Sequence, residues 1–155
     1  MRILLVRPGS FDEEAGRSAS RHLSASGRAA VRNVVFRVKN ALHDLDVGAV
    51  VTAPSPECVQ TAELAAGAFD FLGVVKVWPS LVSPTPPTTL LAPLLALADT
   101  VVVVADEPFL SSLGAAIAGR PSFPTQVPAQ LSLLEDRKPF GFWREGSSMQ
   151  PLLLA

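Results

Sequence analysis

The run Thr100-Val101-Val102-Val103-Val104 constrains the fold of this chain more than any other segment. Successive side chains of a strand point to opposite faces, so four valines in a row bury both. That environment exists at the centre of a parallel sheet covered by helices on each side. Ile3 to Val6 and Val47 to Thr52 read as two more buried strands, and Val74 to Trp78 as a third. Between them run helical patterns. Ser24 is a plausible N-cap, and Val31, Val34, Val35, Val38, Leu42 and Leu45 then fall on one face at spacings of three, four and seven. His43 is placed on the surface of that long helix. Further helices are expected from about Glu57 to Phe69, from Leu90 to Leu97 with Pro93 in the first turn, and from Leu110 to Ala118 with Gly119 as the stop. Leu131 to Leu134 and Phe140 to Trp143 suit a late hairpin around Asp136 to Pro139. Strand and helix alternate, which predicts an α/β fold: a three-layer α/β/α sandwich on a mostly parallel sheet. The 155 residues suit one domain spanning 1–155.

Composition narrows the function. The chain is 48% hydrophobic and 17% charged, a globular balance, and its net charge of -1 carries no basic excess for nucleic acid. The basic residues Arg28, Arg32, Arg37 and Lys39 read as a solvated helix face. Phe140, Phe142 and Trp143 read as core or sheet-edge packing. One cysteine, Cys58, allows no internal disulfide and no thiolate cluster. The opening apolar run covers four residues, too few for a leader or a membrane span, so a soluble cytoplasmic protein without membrane contact is expected.

In open α/β sheets, ligands bind beyond the carboxyl ends of the strands. The loops that begin at Arg7, Ala53 and Ala105 meet that rule. The polar stretch Phe11 to Arg21 reads as an exposed loop.

Those loops carry a family resemblance. Leu4-Leu5-Val6-Arg7-Pro8-Gly9 resembles the opening "LxxRHG" of the histidine phosphatases, and Arg21 to Arg28 resembles their "RPLSxxGR". Thr52 to Glu63 resembles "TSPxxRCxQTAE", and Val104-Ala105-Asp106-Glu107-Pro108 resembles "VGHEP". Val127 to Leu134 is similar to the late strand of the small bacterial SixA-type phosphohistidine phosphatases. The motifs run in order along nearly the whole chain. The resemblance is therefore to the histidine phosphatase (phosphoglycerate mutase-like) superfamily.

The resemblance implies a positive pocket. One histidine attacks phosphorus, and two arginines with a second histidine hold the phosphoryl oxygens, since the transition state is stabilised by positioned cations and donors. Three of those four places are changed here. Pro8 stands at the nucleophile, Glu57 at the second arginine and Asp106 at the second histidine; Arg7 remains. Two unit charges about 5 Å apart interact by roughly 3 kcal/mol at an effective dielectric of 20, so the two carboxylates oppose a phosphate. Loss of a nucleophile alone costs a factor on the order of a million in turnover. The expectation is a catalytically inactive pseudophosphatase that binds a protein partner, in bacterial signalling, without phosphate binding and without a cofactor. The alternative is a weak phosphohistidine phosphatase or hydrolase that uses a displaced residue.

The pocket candidates are Arg7, Gly9, His22, Glu57, Asp106 and Glu107. Arg7 is expected to pair with Glu57 or Asp106. Glu57 also suits a helix N-terminus, and Asp106 could cap the helix that follows it. His22 is the displaced-nucleophile candidate, although a solvated loop histidine is the plainer reading. Cys58 reads as a small buried residue. Carboxylates on separate loops, Glu57, Asp106 and Glu107, are thin grounds for a divalent cation, and no metal is expected.

Overall fold

The computed structural model describes residues 1–12 and 21–154. Strand β1 (Arg2–Val6) leads into a short ladder, β2 (Phe11–Asp12) against β3 (His22–Leu23). Helix α1 spans Ala25–Ala41 and strand β4 Ala49–Thr52. Helix α2 follows at Pro56–Ala68 and strand β5 at Lys76–Val77. A 3-10 turn at Pro87–Leu90 enters α3 (Leu91–Leu95). Then come β6 (Thr100–Val104), α4 (Phe109–Ala118), β7 (Leu131–Glu135), β8 (Lys138–Trp143) and β9 (Gln150–Pro151).

The main sheet has the order β5-β4-β6-β1-β7-β8-β9. Strand β6 lies between β1 and β4 and is parallel to both, with Val101 opposite Ile3 on one side and Ala49 on the other. Every residue of β6 is buried, as the valine run requires. Strand β5 extends the parallel set, whereas β7, β8 and β9 add antiparallel pairs. Helix α1 packs on α2, and α4 packs on the turn before α3. With β4 and β6 buried at every position, these two helix groups cover both faces and complete the α/β/α sandwich. No helix among the described residues is long and apolar enough to cross a membrane.

Local chemistry explains the boundaries. The Ser24 side chain accepts from the Gly27 N–H at 2.9 Å and starts α1. The helix buries Val31, Val34, Val35 and Val38 and ends at Ala41. Leu42 and Leu45 therefore lie beyond it, packed on the core from the connecting turn, and His43 sits in that turn rather than on the helix. Gly119 stops α4 in the left-handed conformation, φ 63°. The hairpin between β7 and β8 turns on Asp136 and Arg137, both with positive φ, which matches the twist of the flanking strands.

Further segments differ from the sequence reading. The helix expected from Leu90 to Leu97 is confined to Leu91–Leu95, after a 3-10 turn at Pro87–Leu90. Phe11 and Asp12 are not loop but pair with Leu23 and His22; the rest of the expected loop, up to residue 20, lies outside the described residues. The third strand shrinks to Lys76–Val77, because β5 is an edge and only part of it meets β4.

The loop after β1 is pinned to the start of α1 by backbone contact. A Cβ on Gly27 would stand 2.0 Å from the Ser10 carbonyl oxygen, and one on Gly9 would stand 2.6 Å from the Gly27 carbonyl oxygen. Both atoms belong to the main chain, so neither contact is relieved by a side-chain rotation. Gly27→Ala should cost about 2–3 kcal/mol and lower the melting temperature by roughly 4–8 °C. Gly67→Ala is the control, since nothing lies within 4 Å of its Cβ position and alanine favours a helix. Thermal unfolding of the two variants checks this; equal melting temperatures would refute the contact.

Candidate functional site at the strand ends

Because β4, β6 and β1 are adjacent and parallel, the loops that start at Ala53, Ala105 and Arg7 leave the same edge of the sheet. The Ala53 N–H donates to Val104 O and the Ala105 N–H to Val6 O, so the loops are tied at their roots. They bring Arg7, Glu57 and Asp106 into one region.

Glu57 lies in the first turn of α2 and is fully buried, 0% exposed. Neither of its carboxylate oxygens has a hydrogen-bond partner among the described residues. The helix dipole favours its charge, but no N–H caps it. Asp106 is partly buried beside it. Carboxylate oxygens of both residues and the Cys58 sulfur all lie within 4.8 Å of one another, and Cys58 Sγ stands 3.8 Å from Asp106 Oδ2. Burial and then the adjoining Glu57 carboxylate push the Asp106 pKa up to about 6, opposed by the positive charges of Arg7 and Arg21. Two carboxyl groups this close share a proton more readily than they ionise together. Cys58 is buried as expected, and burial pushes its thiol well above the usual range, so it is not a reactive thiol while protonated.

Arg7 does not form the expected ion pair: no Arg7 nitrogen comes within 4.0 Å of Glu57 or Asp106. Its Nη1 donates to the Gln126 carbonyl at 2.6 Å, and its backbone N–H donates to Gln130 O at 3.0 Å. The carbonyl engages one of the five guanidinium donors without the cost of burying a second charge. Arg7 thus reaches Asp106 through its field and not by contact.

The capping role suggested for Asp106 falls to Glu107. Asp106 caps nothing with its side chain. Glu107 Oε1 accepts from the Ser111 N–H at 2.6 Å in the first turn of α4, and Oε2 accepts from the Gln126 N–H at 3.1 Å. Glu107 therefore ties the β6 loop to the segment that holds Arg7, and both oxygens are engaged. Gly9 serves as the contact point with Gly27. Pro8 is buried, and its carbonyl accepts from Ala129 N–H. His22 is exposed on β3 rather than on a loop, with Nδ1 2.9 Å from Gln60 Nε2; Gln60 Oε1 in turn accepts from Leu23 N–H. Of the three aromatic residues near the end, only Trp143 is buried, and Phe140 is exposed.

The sequence reading missed the residues that organise Arg7. Gln126 is 1% exposed, and its Nε2 donates to Leu5 O and Gln130 O. Gln130 Oε1 accepts from Val127 N–H and Arg144 Nε. The signal that could have found them is a glutamine pair four residues apart in a loop held by Pro124 and Pro128.

No family model matches the chain, and no curated protein sequence does. Solved structures do. A protein histidine phosphatase SixA complexed with tungstate superposes with TM-score 0.76 at 19% identity, over 94% of this chain and 96% of its own. A protein of Agrobacterium tumefaciens described as a phosphohistidine phosphatase SixA gives 0.72 at 19% identity, over 92% and 96%. A mycobacterial glucosyl-3-phosphoglycerate phosphatase gives 0.59 at 16%, over 85% and 88%. The chain has the histidine phosphatase fold. Within that fold its likeness extends to SixA-type structures over almost the full length of both chains.

The carboxyl pair has a pH signature. An acid with a folded pKa of about 6, above the ordinary aspartate value of 3.8, stabilises the fold most below the unfolded pKa. That contribution is lost as pH rises through about 6. Asp106→Asn removes the ionisation and should match the wild type near pH 4. By pH 8 it should be more stable by on the order of 1–2 kcal/mol, the linkage value reduced for partial exposure. Urea unfolding at a series of pH values measures this, and a difference independent of pH would refute the pairing.

Proposed function

We propose that this chain is a catalytically inactive member of the histidine phosphatase fold, a pseudophosphatase that serves as a binding or regulatory module for a protein partner in bacterial signalling. One observation carries the reading. Where the resembling motifs place a cationic donor, this chain has Glu57, fully buried and within 4.8 Å of Asp106. A phosphoryl group entering there meets negative charge. Pro8, at the position that resembles the nucleophile, has no side-chain atom able to attack phosphorus and no N–H to donate. Arg7, the one retained cation of the motif, is already engaged by the Gln126 carbonyl. The likeness to a protein histidine phosphatase supports the choice of signalling as the setting.

His22 gives little support to the displaced-nucleophile alternative. Its Nδ1 faces Gln60, and it projects from a two-residue strand, separated in sequence from the three strand-end loops.

The purified protein should show no turnover of p-nitrophenyl phosphate, phosphohistidine or a phosphorylated phosphotransfer domain above a buffer control. Calorimetry with vanadate should show no binding at millimolar concentration. Turnover that persists through purification and disappears in His22→Ala would reject the inactive reading in favour of the displaced histidine.

A further inference from the structure

The buried end of α2 holds more acceptors than the described chain satisfies. Both oxygens of Glu57 are orphaned at 0% exposure, and the Ser55 hydroxyl is buried without a partner. Ser55 is the N-cap residue of α2, yet its side chain makes no capping bond. A buried carboxylate without a donor is strongly unfavourable, which is why such groups are paired or coordinate metals. Arg7 could have supplied the charge but is turned to Gln126.

A single proton shared with Asp106 satisfies one oxygen of each carboxyl group, and the Cys58 thiol donates to Asp106 Oδ2 at 3.8 Å, but the second Glu57 oxygen and the Ser55 hydroxyl stay without a partner. A divalent cation answers more of the site. Glu57 and Asp106 offer oxygen ligands and Cys58 a sulfur, from the first turn of α2 and the loop after β6, both tied at their roots to one sheet edge. Ligands around a tetrahedral ion with bonds of roughly 2.0–2.3 Å stand about 3.3–3.8 Å apart. The Cys58 to Asp106 distance is already 3.8 Å, and all three donors lie within 4.8 Å, so closure needs movements of about 1 Å at the side chains. The mixed oxygen and sulfur set favours a thiophilic ion of the zinc type over magnesium or calcium, which take oxygen ligands alone.

We propose that Glu57, Cys58 and Asp106 form a binding site for one thiophilic divalent cation, in the place where the resembling phosphatase motifs bind an anion. Solvent or the Ser55 hydroxyl completes the coordination. Binding releases the Cys58 thiol proton to solvent, together with any proton held between the carboxyl groups. Two carboxylates and one thiolate around a doubly charged ion leave one negative charge, and the nearby Arg7 offsets it. The site goes beyond the loss of phosphatase activity, because cation binding and phosphate turnover are measured separately and either can fail alone.

The test uses the full chain, stripped with a chelator and dialysed, with cobalt(II) or zinc(II) as the only added ligand. Cobalt should bind at one equivalent per chain and give a near-ultraviolet thiolate-to-cobalt charge-transfer band. Cys58→Ala should abolish the band. Asp106→Asn, nearly isosteric and therefore able to fold, should weaken zinc binding by calorimetry at least about tenfold, as should Glu57→Gln. Zinc should raise the wild-type melting temperature by more than that of Asp106→Asn at the same zinc concentration. Absence of the charge-transfer band in the wild type, or zinc affinity unaltered by Asp106→Asn, would overturn the proposal. Cobalt binding that keeps its spectrum in Cys58→Ala would place the metal elsewhere and overturn it equally.

Discussion

Val101 to Val104 stand between Ile3 to Val6 on one side and Ala49 to Thr52 on the other, and the parallel direction of these three strands decides where the chemistry of the chain collects. Parallel pairing sends the three following loops out of one edge. Had either neighbour run the other way, Arg7 or Glu57 would lie at the opposite end of the sheet. The apolar burial that sets the strands in place and the polar cluster beyond them are therefore one arrangement. The core supplies the energy, and the cluster is where some of it is spent. A carboxylate with no donor survives at 0% exposure only because the strands and helices around it are stable enough to hold it there.

The hydrogen bonds around the site divide it into a satisfied half and an unsatisfied half. Arg7, Glu107, Gln126 and Gln130 are joined by hydrogen bonds that engage Arg7 Nη1, both Glu107 oxygens, Gln126 Nε2 and Gln130 Oε1, while Gln126 Oε1 has no partner. Glu57, Ser55, Cys58 and Asp106 face one another with too few protons among them. The division runs between two loops. It explains why Arg7 makes no contact with the acids beside it: its Nη1 donates to a carbonyl, and its charge reaches Asp106 only as a field.

Much of this fold was legible from residue pattern because its main elements are amphipathic or wholly apolar. The valine run, the α1 stripe and the Ser24 cap each carry a local physical reason. The β2–β3 ladder was not legible, since Phe11-Asp12 and His22-Leu23 pair over too few residues to show alternation. The site divided in the same way. That Arg7, Glu57 and Asp106 would gather at one edge followed from topology and motif order. That Arg7 would turn to a backbone carbonyl 119 residues away did not, because a carbonyl has no identity in the sequence. The same holds for Glu107, whose two partners are main-chain N–H groups.

The contact between Gly9 and Gly27 links the loop after β1 to the first turn of α1 through atoms that no side chain can replace. The rim of the pocket is therefore built of main chain, while its chemistry is carried by side chains. Exchange of the side chains at positions 8 or 57 leaves that main-chain contact untouched, since it is made by Ser10, Gly9 and Gly27. A scaffold of this kind separates shape from charge: the backbone outline is set by atoms common to every residue, and the electrical sign of the strand-end cluster is left to the side chains alone.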